Sequence, residues 1–188
     1  MDDGVDGAKE RIADAAEDAA DAGANAADAS DPVAEALRED PTMAALIDRH
    51  GRLSVEPAAD EFGRLCTSIV NQQLSTASAN AIRERFLDVL GGEPTPDRVL
   101  AADEAALREA GLSGTKVDYL RNVATAFRDD ERDFTRAGLA GVSDDEVVDR
   151  LTEIRGVGEW TARMYLIFAL GREDVLPLGD LAVRKGIE

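Results

Sequence analysis

Cysteine is nearly absent: Cys66 stands alone among 188 residues. A lone cysteine excludes an intramolecular disulfide, a cysteine-ligated iron–sulfur cluster and a multi-cysteine zinc site. Histidine also occurs once, as His50 just before Gly51. With no second histidine to join it, it reads as a helix C-terminal residue and not as a metal ligand or catalytic base. Long apolar runs are missing too, since the longest, Tyr165 to Leu170, is far too short to span a bilayer. The start, Met1 to Asp6, is acidic where a secretory leader would be basic. The expectation is a soluble, cytoplasmic, monomeric protein with no membrane partner. Aromatic residues make up only 4% of the chain against 44% hydrophobic overall, so the core must be built from Leu, Ile, Val and Ala, the fillers of helical proteins.

Positive charge is scarce. Twenty-one basic residues face 39 acidic ones, for a formal charge of -18, and the only lysines are Lys9, Lys116 and Lys185. At low salt such a surface argues against nucleic acid, because phosphate contacts supply most non-specific binding energy. The bias resembles cytoplasmic proteins of salt-accumulating microbes, and in molar salt the Debye length is about 3 Å. A global acidic field is then screened, and a local contact can still hold a phosphate.

Residues 1–30 are low-complexity sequence of Ala, Asp, Glu and Gly without large apolar side chains, expected to be a disordered acidic tail. Residues 31–188 read as one folded domain. Asp31-Pro32 and Asp40-Pro41 each pair an N-cap acid with proline at the first helical position, and Gly51 closes the second helix. Apolar residues recur at helical spacing in Phe62, Leu65, Cys66, Ile69 and Val70; in Ile82, Phe86, Val89 and Leu90; and in Val117, Leu120, Ala124 and Phe127. Ser143 followed by Glu146 is a capping-box signature before Val147, Val148, Leu151 and Ile154. No strand alternation is visible, so the fold class is all-α. The glycines and prolines from Gly91 to Pro96 mark either a lobe boundary or a helix connection. Cys66, Tyr119 and Tyr165 read as packing residues.

Ile154-Arg155-Gly156-Val157-Gly158-Glu159-Trp160-Thr161-Ala162 sits between two helices. Glycines flanking one apolar residue permit positive φ and close approach to a ligand, and the next helix offers unpaired N–H groups at the positive end of its dipole. Such a hairpin grips a phosphate without basic side chains, although the same residues also make an ordinary tight turn. Asp180 lies 22 residues after Gly158, in Leu176-Pro177-Leu178-Gly179-Asp180-Leu181. That distance accommodates one helix and a loop that returns the carboxylate towards the hairpin. By itself Asp180 also fits a helix N-cap.

Together these segments resemble the helix-hairpin-helix DNA glycosylases with a Gly/Pro-rich loop and a catalytic aspartate. Phe62 to Ser75, containing Asn71-Gln72-Gln73-Leu74-Ser75, and Gly111-Leu112-Ser113 before Lys116-Val117-Asp118-Tyr119-Leu120 are similar to the DNA-3-methyladenine glycosylase II branch. The resemblance implies a two-lobed helical fold that flips a damaged base out of double-stranded DNA and hydrolyses its N-glycosidic bond, with alkylated purines such as 3-methyladenine as substrates. It makes Asp180 the catalytic carboxylate, which stabilises the oxocarbenium-like sugar, and Trp160 and Met164 the base pocket. It places Gln72, Gln73 and Leu74 at the wedge, with Gln73 and Leu74 as alternatives for the inserted side chain. It puts Gly156, Val157, Gly158 and Thr161 on the DNA backbone. Trp160 stands where bifunctional relatives carry a Schiff-base lysine, which implies a glycosylase without lyase activity; an indole there either stacks on an electron-poor base or packs the hairpin. No cofactor is implied except a structural monovalent cation on the Gly156 and Gly158 carbonyls. Relatives usually continue past the position of Glu188 with a helix over the pocket, so a C-terminal truncation is expected. Rival readings are a non-enzymatic helix-hairpin-helix DNA-binding protein and a glycosylase with another base preference.

Overall fold

The computed structural model describes residues 32–51, 55–129, 131–180, 183 and 185; the expected tail and the Asp31 cap lie outside them. The chain divides into two units, Met1–Ser54 and Val55–Glu188. In the first, α1 (Pro32–Leu37) and α2 (Pro41–His50) bury no residue, and Val33, Leu37 and Leu46 are exposed. Asp40 caps α2 by accepting from the Thr42 and Met43 N–H groups at 2.7 and 3.1 Å. Gly51, at φ +71°, ends it with its N–H donating to the Ile47 carbonyl. His50 occupies the last turn and is exposed, as its position suggested.

The second unit holds α3 (Glu61–Asn71), α4 (Thr76–Leu90), α5 (Pro96–Ala101), α6 (Glu104–Glu109), α7 (Gly114–Phe127), α8 (Asp144–Thr152) and α9 (Glu159–Phe168). Among the described residues there is no strand. Each of α3 to α8 begins at an Asp, Ser or Thr whose side chain accepts from an N–H of the first turn. Such caps are worth about 1 kcal/mol each. Gly91 takes the left-handed conformation that ends α4, so Gly91 to Pro96 is a helix connection; the division between units falls after Ser54.

Helix α3 is the spine: it packs against α4, α7 and α9. Its Leu65, Cys66, Ile69 and Val70 are buried, with Val117, Leu120, Val123 and Ala124 of α7 and Ala162, Tyr165 and Leu166 of α9. Full burial of one such large apolar side chain contributes about 1.5–3 kcal/mol. Phe127 meets Phe62 edge-on at 5.2 Å and stacks on Phe134 at 5.3 Å. The Tyr165 hydroxyl donates to the Phe134 carbonyl at 2.7 Å, satisfying its one buried polar atom. Cys66 is wholly enclosed, and burial pushes its thiol far above the ordinary range, which makes it inert. Tyr119 packs partly buried against the same core.

Candidate active site

Two faces of α3 divide the labour. The apolar face is the core, and the opposite face presents Arg64 and Ser68, one turn apart, to an open cleft of about 590 Å³. Trp160, Met164 and Phe168, at four-residue spacing on α9, form the facing wall. Thr161 and Gly158 line it at the start of α9, and Asn71, Gln72 and Gln73 line it at the end of α3.

After α3 the chain makes a strained turn. Gln73 adopts φ +58°, alone among the described non-glycine residues. A non-glycine residue held there costs of order 1–3 kcal/mol unless its surroundings impose it. The surroundings are specific: Lys116 Nζ donates to the Val70 and Gln72 carbonyls, each at 2.7 Å. Burial lowers the Lys116 ammonium below its ordinary pKa. Gln72 Nε2 donates to the Gly156 carbonyl at 3.3 Å, tying the turn to the hairpin. Gln72 is thereby committed, Leu74 is half-buried and does not line the cleft, and Gln73 is exposed at its edge.

The hairpin runs from α8 to α9. Gly156 sits at φ +111° against Tyr119, and a Cβ on it would lie 2.2 Å from the Tyr119 ring. Only glycine fits. Asn122 Nδ2 donates to the Arg155 carbonyl at 3.0 Å. Val157 is buried, and its N–H donates to the Ile154 carbonyl at 3.0 Å. Gly158 is the N-cap of α9 and provides no side-chain cap, which leaves the first turn of that helix open to an anion. Thr161 is 4% exposed and belongs to the cleft floor.

The two carbonyls suggested for a monovalent cation each accept one hydrogen bond. That of Gly156 accepts from Gln72, and that of Gly158 accepts from Ala162 N–H within α9. No cluster of His, Cys, Asp or Glu that could hold a metal occurs among the described residues. Each carbonyl oxygen keeps a second lone pair beyond that bond, and no step below passes through an ion.

Asp180 follows the Leu176–Gly179 turn, its N–H donating to the Pro177 carbonyl at 2.8 Å. One carboxylate oxygen accepts from the Val183 N–H at 3.2 Å, and the other from the Trp160 indole Nε1 at 2.8 Å. Capping and site-forming, alternatives on the sequence, are done by separate oxygens of one group. Trp160 is 43% exposed and lines the cleft, so it does not serve as core packing. It joins the carboxylate to the cavity.

Residues 66–188 match the HhH-GPD superfamily of base excision DNA repair proteins. The chain belongs to that superfamily. It is 36% identical over 136 residues to DNA-3-methyladenine glycosylase 1 of Schizosaccharomyces pombe, covering 68% of this chain and 56% of the relative. Among solved structures, a DNA-3-methyladenine glycosidase from Bacillus halodurans superposes with a TM-score of 0.69 at 35% identity, over 80% of this chain and 69% of the other. The Schizosaccharomyces pombe 3-methyladenine DNA glycosylase in complex with abasic DNA superposes with a TM-score of 0.67 at 33% identity, over 79% and 74%. The chain spans about half the length of the sequence relatives it matches first. The chain has the helical helix-hairpin-helix glycosylase fold. No helix among the described residues is long and apolar enough to cross a membrane.

Sequence reasoning missed Arg64, Ser68 and Phe168 in the cleft and Lys116 behind the Gln72–Gln73 turn. For Phe168 a signal existed, the spacing Trp160, Met164, Phe168. Arg64 and Ser68 likewise lie off the apolar stripe of α3. Nothing local marks Lys116, whose acceptors are 44 and 46 residues away.

Proposed function

We propose that this chain is a base excision glycosylase which hydrolyses the N-glycosidic bond of alkylated purines, such as 3-methyladenine, after flipping them out of double-stranded DNA. The observation that carries the reading is the Trp160–Asp180 hydrogen bond, which holds a carboxylate beside an exposed indole at a cavity large enough for a purine. As the bond between C1′ and the base nitrogen breaks, positive charge grows on the sugar and Asp180 stabilises it. Water adds to C1′, its proton passes to the carboxylate or to solvent, and the base departs with the bonding pair. Trp160 stacks on the base, an interaction favouring electron-poor rings, and Met164 completes that wall. Gln73 enters the stack in place of the flipped nucleotide, supported by its exposure and its enforced backbone conformation. The Gly156–Gly158 backbone and the start of α9 hold a phosphate. One chain brings all these groups together, so it acts as a monomer.

The reaction ends at an abasic site. The position after Glu159 is Trp160 and not an amine, and Lys116 is committed to two carbonyls. Incubation with methylated duplex DNA should release free methylpurine and leave a strand that breaks only on alkali treatment. Absence of released base across methylated and deaminated duplexes would refute the glycosylase reading. A borohydride-trapped covalent adduct would refute the lyase-free part alone.

A further inference from the structure

Asn71 to Leu74 form a type II turn: Gln72 stands at φ -51° and ψ 129°, Gln73 follows at φ +58°, and the Leu74 N–H donates to the Asn71 carbonyl at 3.2 Å. Such a turn calls for glycine at its third position, where this chain has glutamine. In a type I turn the same residues would keep Gln73 at negative φ, with the peptide between Gln72 and Gln73 turned over and its carbonyl on the other side. Lys116 Nζ meets that carbonyl at 2.7 Å and the Val70 carbonyl at the same distance. The ammonium therefore holds the peptide plane from which Gln73 takes its φ. Its position does nothing for its own helix. Lys116 is the third residue of α7, its N–H donating to the Ser113 hydroxyl at 3.2 Å, and a cation in a first turn opposes the helix dipole. Among the described residues no carboxylate pairs with it, and burial lowers its pKa.

We infer that Lys116 is the positioning residue of the wedge: by capping α3 and fixing the type II turn, it aims the Gln73 side chain at the place a flipped nucleotide vacates. This rests on the glycosylase reading above and adds what keeps its wedge in shape. The last carbonyls of a helix lack partners within it, and a cation there also meets the negative end of the dipole. One ammonium thus satisfies Val70 and Gln72 together and stabilises the end of α3 that it faces. Flipping costs the stacking and pairing of the base, and the inserted side chain must offset that cost. A turn that relaxed to type I in the free protein would have to be ordered again on binding, which weakens the complex. The Gln72 amide, bonded to the Gly156 carbonyl at 3.3 Å, locates the turn against the hairpin. Lys116 sets its conformation, so the two contacts have separate roles.

The test uses a duplex with a tetrahydrofuran abasic site opposite 2-aminopurine, whose fluorescence reports a side chain entering the stack, and an undamaged duplex of the same sequence. Wild type, Lys116→Met, Lys116→Arg, Gln73→Ala and the Lys116→Met, Gln73→Ala double variant are titrated after circular dichroism confirms that each is folded. Lys116→Gln replaces Lys116→Met throughout if the latter does not fold. Lys116→Met should lower the preference for abasic over undamaged duplex about tenfold, within the range set by the cost of a non-glycine residue at positive φ. It should also remove most of the fluorescence change. Lys116→Arg, which keeps the charge and the donors, should recover most of both. The double variant should be no worse than Gln73→Ala, because Lys116 acts through that side chain. Losses that add in the double variant, two affinities that fall together with an unchanged ratio, or no fluorescence change in wild type each overturn the inference, as does a wild-type response from Lys116→Met. No base leaves a tetrahydrofuran site, so the result is independent of turnover: methylated duplex that yields no free methylpurine sinks the glycosylase reading alone.

Discussion

The hairpin between α8 and α9 and the loop from Gly171 to Asp180 meet at the Trp160–Asp180 hydrogen bond, yet different forces hold them. The hairpin is set by packing: Ile154, Val157 and Ala162 are buried, Gly156 sits against the Tyr119 ring, and two of its carbonyls accept side-chain amides. The loop has a single apolar contact with the core, through the half-buried Val175, and is otherwise held at its ends. Arg172 anchors the start by donating to the Leu139 and Val142 carbonyls at 2.8 and 3.0 Å, and Asp180 secures the finish with its own hydrogen bonds. Between them Leu176 and Leu178 are 59% and 60% exposed. The hairpin proposed to grip DNA is thus part of the core, and the carboxylate is held mainly by polar contacts. Changes in the hairpin should cost folding stability, and changes at the carboxylate should cost chemistry.

The sharpest way to break that division is Asp180→Asn. Single-turnover base release should fall by about two orders of magnitude or more, on the scale of a lost transition-state electrostatic contact. Asparagine still caps, so the thermal midpoint should hardly move. A large loss of stability would show that the loop is part of the fold's framework. Next comes Gly156→Ala, where a Cβ collides with Tyr119 at a φ of +111°. Denaturant melts should show a loss of about 2–3 kcal/mol, combining strain and overpacking. Pairing it with Tyr119→Ala should recover part of the loss, since one of the two clashing groups is gone. Smaller still is Trp160→Phe, which keeps an aromatic wall and removes the N–H that holds Asp180. About tenfold slower release with near-wild-type stability is expected, the lower end for a hydrogen bond to a charged group. An unchanged rate would mean that the indole does not position the carboxylate.

The packed region was largely legible in the sequence, and the reason is locality. Asp40 and Ser143 cap helices because their acceptors and donors lie within three residues, and Cys66 and Tyr165 are buried because helical spacing places them on an apolar stripe. The hairpin and Asp180 were legible through the motifs they share with glycosylases. Other features depend on contacts distant in the chain. Gln72 reaches Gly156 across 84 positions, and Lys116 holds a turn 44 residues upstream. The cleft wall of Arg64 against Phe168 exists only after α3 and α9 have packed. The sequence left Gln73 and Leu74 as alternatives for the same reason, since the partial burial of Leu74 and the exposure of Gln73 are tertiary outcomes.

The hairpin's own chemistry sets the smallest effect and the most diagnostic one. If backbone N–H groups and the α9 dipole hold the phosphate, few counterions are displaced by cationic side chains. The logarithm of affinity for duplex DNA should then fall with the logarithm of salt at a slope of only about −1 to −3. Arg155, exposed at the hairpin, is the nearest cationic exception. Arg155→Ala should flatten that slope by about one unit if its side chain meets a phosphate. At a net charge of -18, the chain also gains compactness when salt screens its self-repulsion, so binding and base release should persist into molar salt. Anisotropy titrations across a salt series, with circular dichroism on the same samples, separate loss of binding from loss of fold. A slope of about −6 or steeper would assign the grip to side-chain charges outside the hairpin. A protein folded and active in dilute buffer but inactive in molar salt would refute the salt-adapted reading and leave the packed hairpin unaffected.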